Sequence, residues 1–539
     1  MIINEVRFED KVIELCPRDF DRNHNVNTIV VGRNGSGKSK LFQKICQIFI
    51  TSLVNENFQH FRVQDLFDYY ESRENSSLDE TGYLGYTNDK TTYKILIEKP
   101  VYIPQNIDLS NIPNHLHALV LEDFQNQYFG NRELMISHKS DDISSEKAIV
   151  FPKIIAVSSS PFDKFPMLDE RRLHGEQNTL KDHYFYRGAR TKDRSSKSYM
   201  RSKFDQLGTS FINFFLKTEH RTNEILPLFA YLGFERKFTV FLKFADHFLI
   251  SDVIKEEGRD PLETVRSVRF FKGKEHDDNL TDKDKERIIS SAKKIHEGLL
   301  SNSQTHSFHR TDEEFTLSLE IGGSNNDKPR FLKEFSVLAE YDLVDLANIE
   351  FTKNDNNRKV LLKEASSGEL CILFNILAIA GAISDDSVIL LDEPELSLHP
   401  EWQKDFMPLL AEVFSKYKRC HFILATHSPH IVSSVNKTNS YIVNLEDNPA
   451  NVISGKGIAL QSSDYQLAFT FKSPGYKNEH LISQIVDVLN KLSEGKKLDE
   501  EFIKEINSLI EFDGLVPDND PVKNLLSTLK KALTVLKHG

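Results

Sequence analysis

Residues 32–39 read GRNGSGKS and follow the apolar run TIVV at 28–31. Glycines at 32, 35 and 37 lack a Cβ, so the backbone N–H groups of such a loop can curl around an anion, and a helix starting at Lys38 adds its positive end. In that arrangement Lys38 reaches the β- and γ-phosphates and the Ser39 hydroxyl holds Mg²⁺. Gly32, Arg33, Asn34, Gly35, Ser36, Gly37, Lys38 and Ser39 are therefore the candidate nucleotide-binding set. Far downstream, SVILLDEPELSLHP at 387–400 ends an apolar run in paired carboxylates. Beside a bound phosphate, Asp392 would assist Mg²⁺ and Glu393 would polarise the attacking water. A third run, HFILA at 421–425, leads into Thr426-His427-Ser428, where an imidazole could reach the γ-phosphate. Taken singly, an acidic strand end reads as a solvated turn and a lone histidine as structural. Their order after the glycine loop favours chemistry.

Between these lies KEASSGELCILFNILAIAGAI, 363–383. Ser366, Ser367, Gly368 and Glu369 open a strongly apolar helix, and two readings stay open: hydroxyls and N–H groups converging on an anion, or a serine helix cap.

These residues need elements to place them. The runs at 28–31 and 388–391 have the continuous apolar character of strands buried on both faces of a parallel sheet, and Leu41, Ile45 and Ile48 recur at helical spacing after the glycine loop. At 539 residues the chain should hold two or more domains. Lys+Arg 68 against Asp+Glu 80 gives −12, which disfavours a uniformly basic nucleic-acid binder but leaves room for a local basic patch. Cys16, Cys46, Cys371 and Cys420 are scattered without a CxxC pair; Cys46 and Cys371 sit in apolar stretches and read as small buried hydrophobes, which suits a reducing cytoplasm. The first apolar stretch carries acidic residues, unlike a signal peptide, and the longest apolar run, 370–383, is too short to span a bilayer, so a soluble, cytoplasmic protein with no membrane partner is expected.

The series GRNGSGKS, ASSGEL, ILLDEPELSLHP, ATHSPHIV resembles the ATP-binding-cassette (ABC-type) ATPase head shared by the structural-maintenance (SMC), Rad50 and RecF proteins and by ATPases of bacterial anti-phage systems. The resemblance covers roughly 1–60 and 345–435. It implies an α/β fold, a mixed sheet with flanking helices, and ATP with Mg²⁺ as ligands. It assigns Lys38 and Ser39 to the phosphates and metal, Asp392 to Mg²⁺, Glu393 to water activation and His427 to γ-phosphate sensing. It also implies that Ser366, Ser367, Gly368 and Glu369, the signature, contact the nucleotide of a second subunit, so that a homodimer or higher even oligomer sandwiches two ATP molecules between heads. Ser367 stands where the family more often has glycine. For the strand preceding the glutamine loop there are two candidates, 101–105 (VYIPQ) and 153–157 (KIIAV); the second is preferred, although it lacks a glutamine.

The expected organisation is an N-terminal head lobe at 1–165, a large, mainly helical insertion at 166–340, a C-terminal head lobe at 341–475 and a helical tail at 476–539. No heptad repeat persists through the insertion, so a compact helical arm with helices near 204–224 and 283–300 is expected instead of a coiled-coil rod. KIIAVSSSPFDKFP (153–166) and YFYRGAR (184–190) are similar to segments of the Septu and retron defence ATPases known as PtuA. That resemblance implies a bacterial complex with a separate HNH nuclease (PtuB-like) and a retron reverse transcriptase or nucleic acid. In the tail, Leu481, Ile485, Leu489 and Leu492 form one stripe and Val522, Leu525, Leu529, Leu533 and Leu536 another, for packing on the head or for a partner. Asp518 and Asp520 sit in a Pro-flanked turn and read as a helix cap at Asp520 with Pro521 at the first helical position. RELMISH, 132–138, only faintly resembles HEPN ribonucleases. The expectation is an ATP-hydrolysing sensor and scaffold that controls a separate nuclease; the alternatives are an SMC- or RecF-like repair ATPase acting directly on DNA, or an ATPase of the overcoming-lysogenization-defect kind with its own nuclease.

Overall fold

In the computed structural model the described residues are 1–8, 11–56, 82–88, 91–97, 151–166, 182–188, 190, 207–208, 210–212, 214–215, 222–244, 282–301, 308–310, 314–322, 332–341, 343–447, 450 and 452–538. The strands are β1 (Ile2–Phe8), β2 (Lys11–Glu14), β3 (Val26–Val31), β4 (Gly82–Asn88), β5 (Thr91–Ile97), β6 (Ile154–Ser158), β7 (Tyr184–Arg187), β8 (Phe234–Phe244), β9 (Phe308–Arg310), β10 (Glu314–Glu320), β11 (Val344–Lys353), β12 (Lys359–Leu361), β13 (Val388–Asp392), β14 (His421–Ala425), β15 (Ser440–Asn444) and β16 (Val452–Ser454). Among the described residues they form three sheets.

The central sheet runs β16-β15-β3-β14-β13-β6-β7, parallel from β15 to β7, with β16 antiparallel at one edge. Its strands carry unbroken apolar runs because both faces are covered. Ile29, Val31, Ile389, Leu391, Phe422 and Leu424 enter one core, while Val30, Val388, Leu390, Ile423 and Ala425 enter the other. Each such Val, Leu, Ile or Phe side chain, fully buried, contributes about 1.5–3 kcal/mol. The helix Ser367–Ala380 lies in the first core and, beyond its N-terminal turn, is apolar on every side except at the buried Asn375, whose Nδ2 donates to Pro394 O at 3.4 Å, so it can only be an interior helix. A smaller antiparallel sheet, β2-β1-β4-β5, packs on the second core with the helix Lys38–Glu56.

The insertion holds more than helices. The helices Leu226–Leu232, Asp282–Ser301 and Leu332–Glu340 pack with a five-stranded antiparallel sheet, β12-β11-β8-β10-β9, that sequence reasoning did not foresee. In β8 the buried residues Phe238, Val240, Leu242 and Phe244 alternate with more exposed ones, a period-2 pattern. Phe229, Phe234, Phe238 and Phe351 join in one aromatic cluster beneath this sheet, Phe234 and Phe351 stacked at 4.5 Å. Two boundaries shift as well. β7 lies beyond 165 yet pairs with β6 in the central sheet, and β11 and β12 lie beyond 341 yet belong to the arm's sheet. Lateral pairing, invisible in a linear reading, sets both.

The tail helices Glu479–Ser493, Glu500–Ile510 and Pro521–His538 close on one another around Leu481, Ile485, Val488, Phe502, Ile506 and Leu529, and the same core takes in Ala468 of the C-terminal head lobe, whose Phe469 ring lies 5.1 Å from Phe512. Val488 and Leu526 are the buried positions that the stripes omitted, where Leu489 and Leu525 are half-buried. No helix among the described residues is long and apolar enough to cross a membrane.

Candidate functional site

The parallel register aligns the carboxyl ends of four strands, with Ala425 beside Val30 and Asp392 beside both Ala425 and Ser158. In open α/β sheets ligands bind beyond this edge. The loop 32–37 leaves β3 here with positive φ at Gly32, Gly35 and Gly37. A Cβ on Gly37 would stand 2.7 Å from the Phe8 ring, so that position needs glycine both for its backbone and for space. Arg33, Asn34 and Gly35 are exposed at the tip of the turn, and the Ser36 hydroxyl is buried without a hydrogen-bond partner. Lys38 is buried, and its Nζ donates to Gly32 O at 2.9 Å and Arg33 O at 3.2 Å. Burial holds the Lys38 ammonium below its ordinary pKa, against the opposing pull of Glu393, Asp392, Glu395 and Glu446.

Asp392 ends β13 inside the protein. Burial pushes its carboxyl up to about 7; a Ser39 hydrogen bond opposes that, and Glu393 adds to it. Asp392 Oδ1 is buried with no partner, an orphan that a divalent cation held jointly with the Ser39 hydroxyl would satisfy. The residues thus fit Mg²⁺. Glu393, the next residue, has φ +50°, a left-handed conformation uncommon for a non-glycine side chain, fixed by donation of its N–H to Ala425 O at 2.9 Å. Its Oε1 lies 3.9 Å from His427 Nε2. Burial first, and then Lys38, push the His427 imidazole below its usual pKa.

Ser366, Ser367, Gly368 and Glu369 stand elsewhere, at the start of the Ser367–Ala380 helix. Ser366 Oγ accepts from Glu369 N, and Glu369 Oε2 accepts from Ser366 N at 2.8 Å, a reciprocal capping box. Lys353 Nζ donates to Glu369 Oε1 at 2.8 Å, while Gly368 packs so closely on Trp402 that a Cβ would meet its ring at 3.0 Å. The serine cap is therefore real, and Ser366 and Ser367 remain exposed.

The preferred glutamine-loop strand, 153–157, corresponds to β6, next to β13; the other candidate, 101–105, and RELMISH lie outside the described residues. The loop after β6 supplies Asp163, buried, accepting from Tyr186 Oη at 2.9 Å and paired with Arg190 at 3.0 Å. KIIAVSSSPFDKFP and YFYRGAR thereby form one unit flanking Asp392. All four cysteines are buried and none is in a disulfide. Asp520 caps the last helix through Val522 N at 2.9 Å, whereas Asp518 is fully exposed, so the two do not converge on a metal.

Sequence reasoning missed Glu395 and Glu446. Glu395 Oε1 accepts the His427 N–H at 2.7 Å; as a third acid within DEPE it carried a signal. Burial raises its pKa, and the His427 N–H opposes that. Glu446 Oε1 accepts the Arg33 N–H at 2.5 Å, a contact across hundreds of residues that no local pattern announces.

Fold and site define a P-loop ATPase head of the ABC type. Residues 119–433, more than half of the chain, match the AAA_21 family, described as "AAA domain, putative AbiEii toxin, Type IV TA system", and the chain belongs to that family. It is 32% identical over 146 residues to Protein ea59 of Escherichia phage lambda, covering 26% of this chain and 27% of that protein. It is 23% identical over 214 residues to the "Retron Ec83 probable ATPase" of Escherichia coli, 38% of each, and 26% identical over 108 residues to the "Retron Vc95 probable ATPase" of Vibrio cholerae serotype O1 biovar El Tor, 18% of this chain and 20% of that one. The matches thus span between 20% and 38% of the length of these curated relatives. Among solved structures, the Smc head domain with an extended coiled coil bound to the C-terminal domain of ScpA, derived from Pyrococcus furiosus, aligns over 84% of this chain and 96% of that one at 13% identity and a TM-score of 0.27.

Proposed function

We propose that this chain is the ATP-hydrolysing subunit of a bacterial anti-phage complex, a cytoplasmic PtuA-like ATPase of the retron and Septu kind whose nucleotide cycle controls an HNH nuclease on a separate polypeptide. Two of its relatives are named as retron ATPases, which supports the defence setting. The observation that carries the ATPase reading is the orphaned Asp392 Oδ1, enclosed beside Ser39 and Lys38 at the strand ends.

Lys38 would exchange the carbonyls of Gly32 and Arg33 for the β- and γ-phosphates, and the 32–37 N–H groups would cradle them. Ser39 and Asp392 would hold Mg²⁺, which neutralises phosphate charge as it develops. Glu393 would orient and deprotonate the attacking water, and a neutral His427 beside it would contact the γ-phosphate. The exposed N-terminus at Ser366 and Ser367 would face the nucleotide of a second copy, so each hydrolysis site would be completed by a partner head.

Lys38→Ala should abolish ATP binding. Glu393→Gln should retain binding but cut hydrolysis by about 10²–10⁴-fold, the usual contribution of a positioned general base. The purified lone chain should hydrolyse ATP and leave DNA and RNA intact. Wild-type turnover by Glu393→Gln would refute the role assignment, and nucleic-acid cleavage that survives repurification would refute the separate nuclease.

A further inference from the structure

His427 is held by its main chain as well as by the strand that delivers it. Its N–H donates to Glu395 Oε1 at 2.7 Å. The next residue is tied down too: Ser428 Oγ donates to Gln403 Oε1 at 2.6 Å, and Gln403 Nε2 donates to Leu398 O at 3.0 Å. Two successive residues after β14 are thus fastened to the segment after Glu393. That segment is itself shaped, with Leu396 N donating to Glu393 O at 3.2 Å, Leu398 N donating to Glu395 O at 2.9 Å and Ser397 at φ +74°.

Glu395 is an expensive choice for a loop brace. Its Oε2 is buried without a hydrogen-bond partner, and burying a carboxylate oxygen that finds no donor is unfavourable. A neutral acceptor would hold the same N–H. What the glutamate supplies is a short bond, 2.7 Å, anchored two residues from Glu393, whose φ of +50° leaves its backbone little freedom to readjust.

From this geometry we infer that Glu395 is a positioning residue for ATP hydrolysis: by gripping the His427 peptide it keeps the imidazole in register with Glu393, 3.9 Å away. The inference rests on the ATPase reading above. It assigns Glu395 no contact with ATP, so its loss should act on turnover and not on nucleotide affinity.

The test is a double-mutant cycle with an independent structural readout. Glu395→Ala should lower kcat roughly 10- to 100-fold, the range for leaving a hydrogen-bond donor unsatisfied, with KM for ATP nearly unchanged. Glu395→Gln keeps an acceptor and should restore most of that rate. In a His427→Ala background Glu395→Ala should cost less than about threefold, because the group it positions is gone. Should the alanine variant not fold, Glu395→Asp keeps the carboxyl group, withdraws its oxygens by one methylene and should lose turnover in the same way. Hydrogen exchange at the His427 amide should be slow in the wild type and in Glu395→Gln and fast in Glu395→Ala. Additive losses in the cycle, weakened ATP binding at unchanged kcat, or a fast-exchanging His427 amide in the wild type would each overturn the inference. A wild-type protein that hydrolyses no ATP would sink the ATPase reading instead, and the His427 amide would still report whether Glu395 grips it.

Discussion

His421 offers a sharp pH test, because it begins β14, the strand that leads to His427, and is completely enclosed. Its Nδ1 accepts the Ile3 N–H at 3.1 Å, so the proton sits on Nε2 and is donated to Thr28 Oγ1 at 2.9 Å; Thr28 in turn donates to Leu15 O at 2.8 Å. Both ring nitrogens are satisfied only in this neutral tautomer. Protonating Nδ1 would set an N–H against an N–H. Burial pushes the His421 pKa down to about 3, with the nearby N-terminal ammonium adding to the shift. The unfolded chain binds a proton near the ordinary value of about 6.5 while the folded one does not, so this group's stabilisation is complete above that pH and is lost as pH falls toward 3. The slope approaches about 1.4 kcal/mol per pH unit below pH 6.5, or about 2 kcal/mol between pH 7 and 5. Denaturant unfolding at pH 7 and pH 5 should show that loss in the wild type. His421→Asn should be less stable at pH 7 but lack this part of the pH dependence, and subtracting the two profiles removes the carboxylates common to both. Labelled-histidine NMR should find no titration of His421 above pH 5. An imidazole that titrates near 6.5, or parallel pH profiles for the two proteins, would refute the reasoning.

Two further outcomes probe the head pair and the tail. Ser367→Arg places bulk and charge on the exposed helix start; it should depress ATPase activity while leaving the subunit's nucleotide affinity intact, and mixing it with Lys38→Ala should restore about one working site per mixed dimer. Mixed dimers that form without regaining activity would contradict a head-to-head sandwich. Asp520→Ala leaves the Val522 and Lys477 N–H groups without their 2.9 Å acceptors and should cost about 2–3 kcal/mol, seen as faster hydrogen exchange in the last helix, whereas Asp518→Ala, at a fully exposed side chain, should fall within about 0.5 kcal/mol.

Local chemistry was legible from the chain alone. The glycine spacing at 32, 35 and 37, the apolar runs of β3, β13 and β14, the carboxylates of Asp392 and Glu393 and the cap at Asp520 each follow from a short stretch, because the forces that fix them act within a few residues. The helix Ser367–Ala380, apolar beyond its first turn except at Asn375, likewise announced its own burial. The five-stranded sheet of the insertion did not show itself, since β8 finds β10 and β11 only across a long separation in sequence, and its alternation competes with flanking helical patterns. The tail stripes were visible, but which surface would cover them was settled by three helices meeting one another and Ala468 and Phe469 of the head lobe, a choice that depends on shape and not on period. Above all, the strand ends had to align before Lys38, Asp392, Glu395 and Glu446 shared one electrostatic field. Burial then acted on them together, raising Asp392 to about 7 and leaving its Oδ1 unpartnered. Desolvation and long-range hydrogen bonds are properties of an enclosed volume, and only the tertiary structure encloses one.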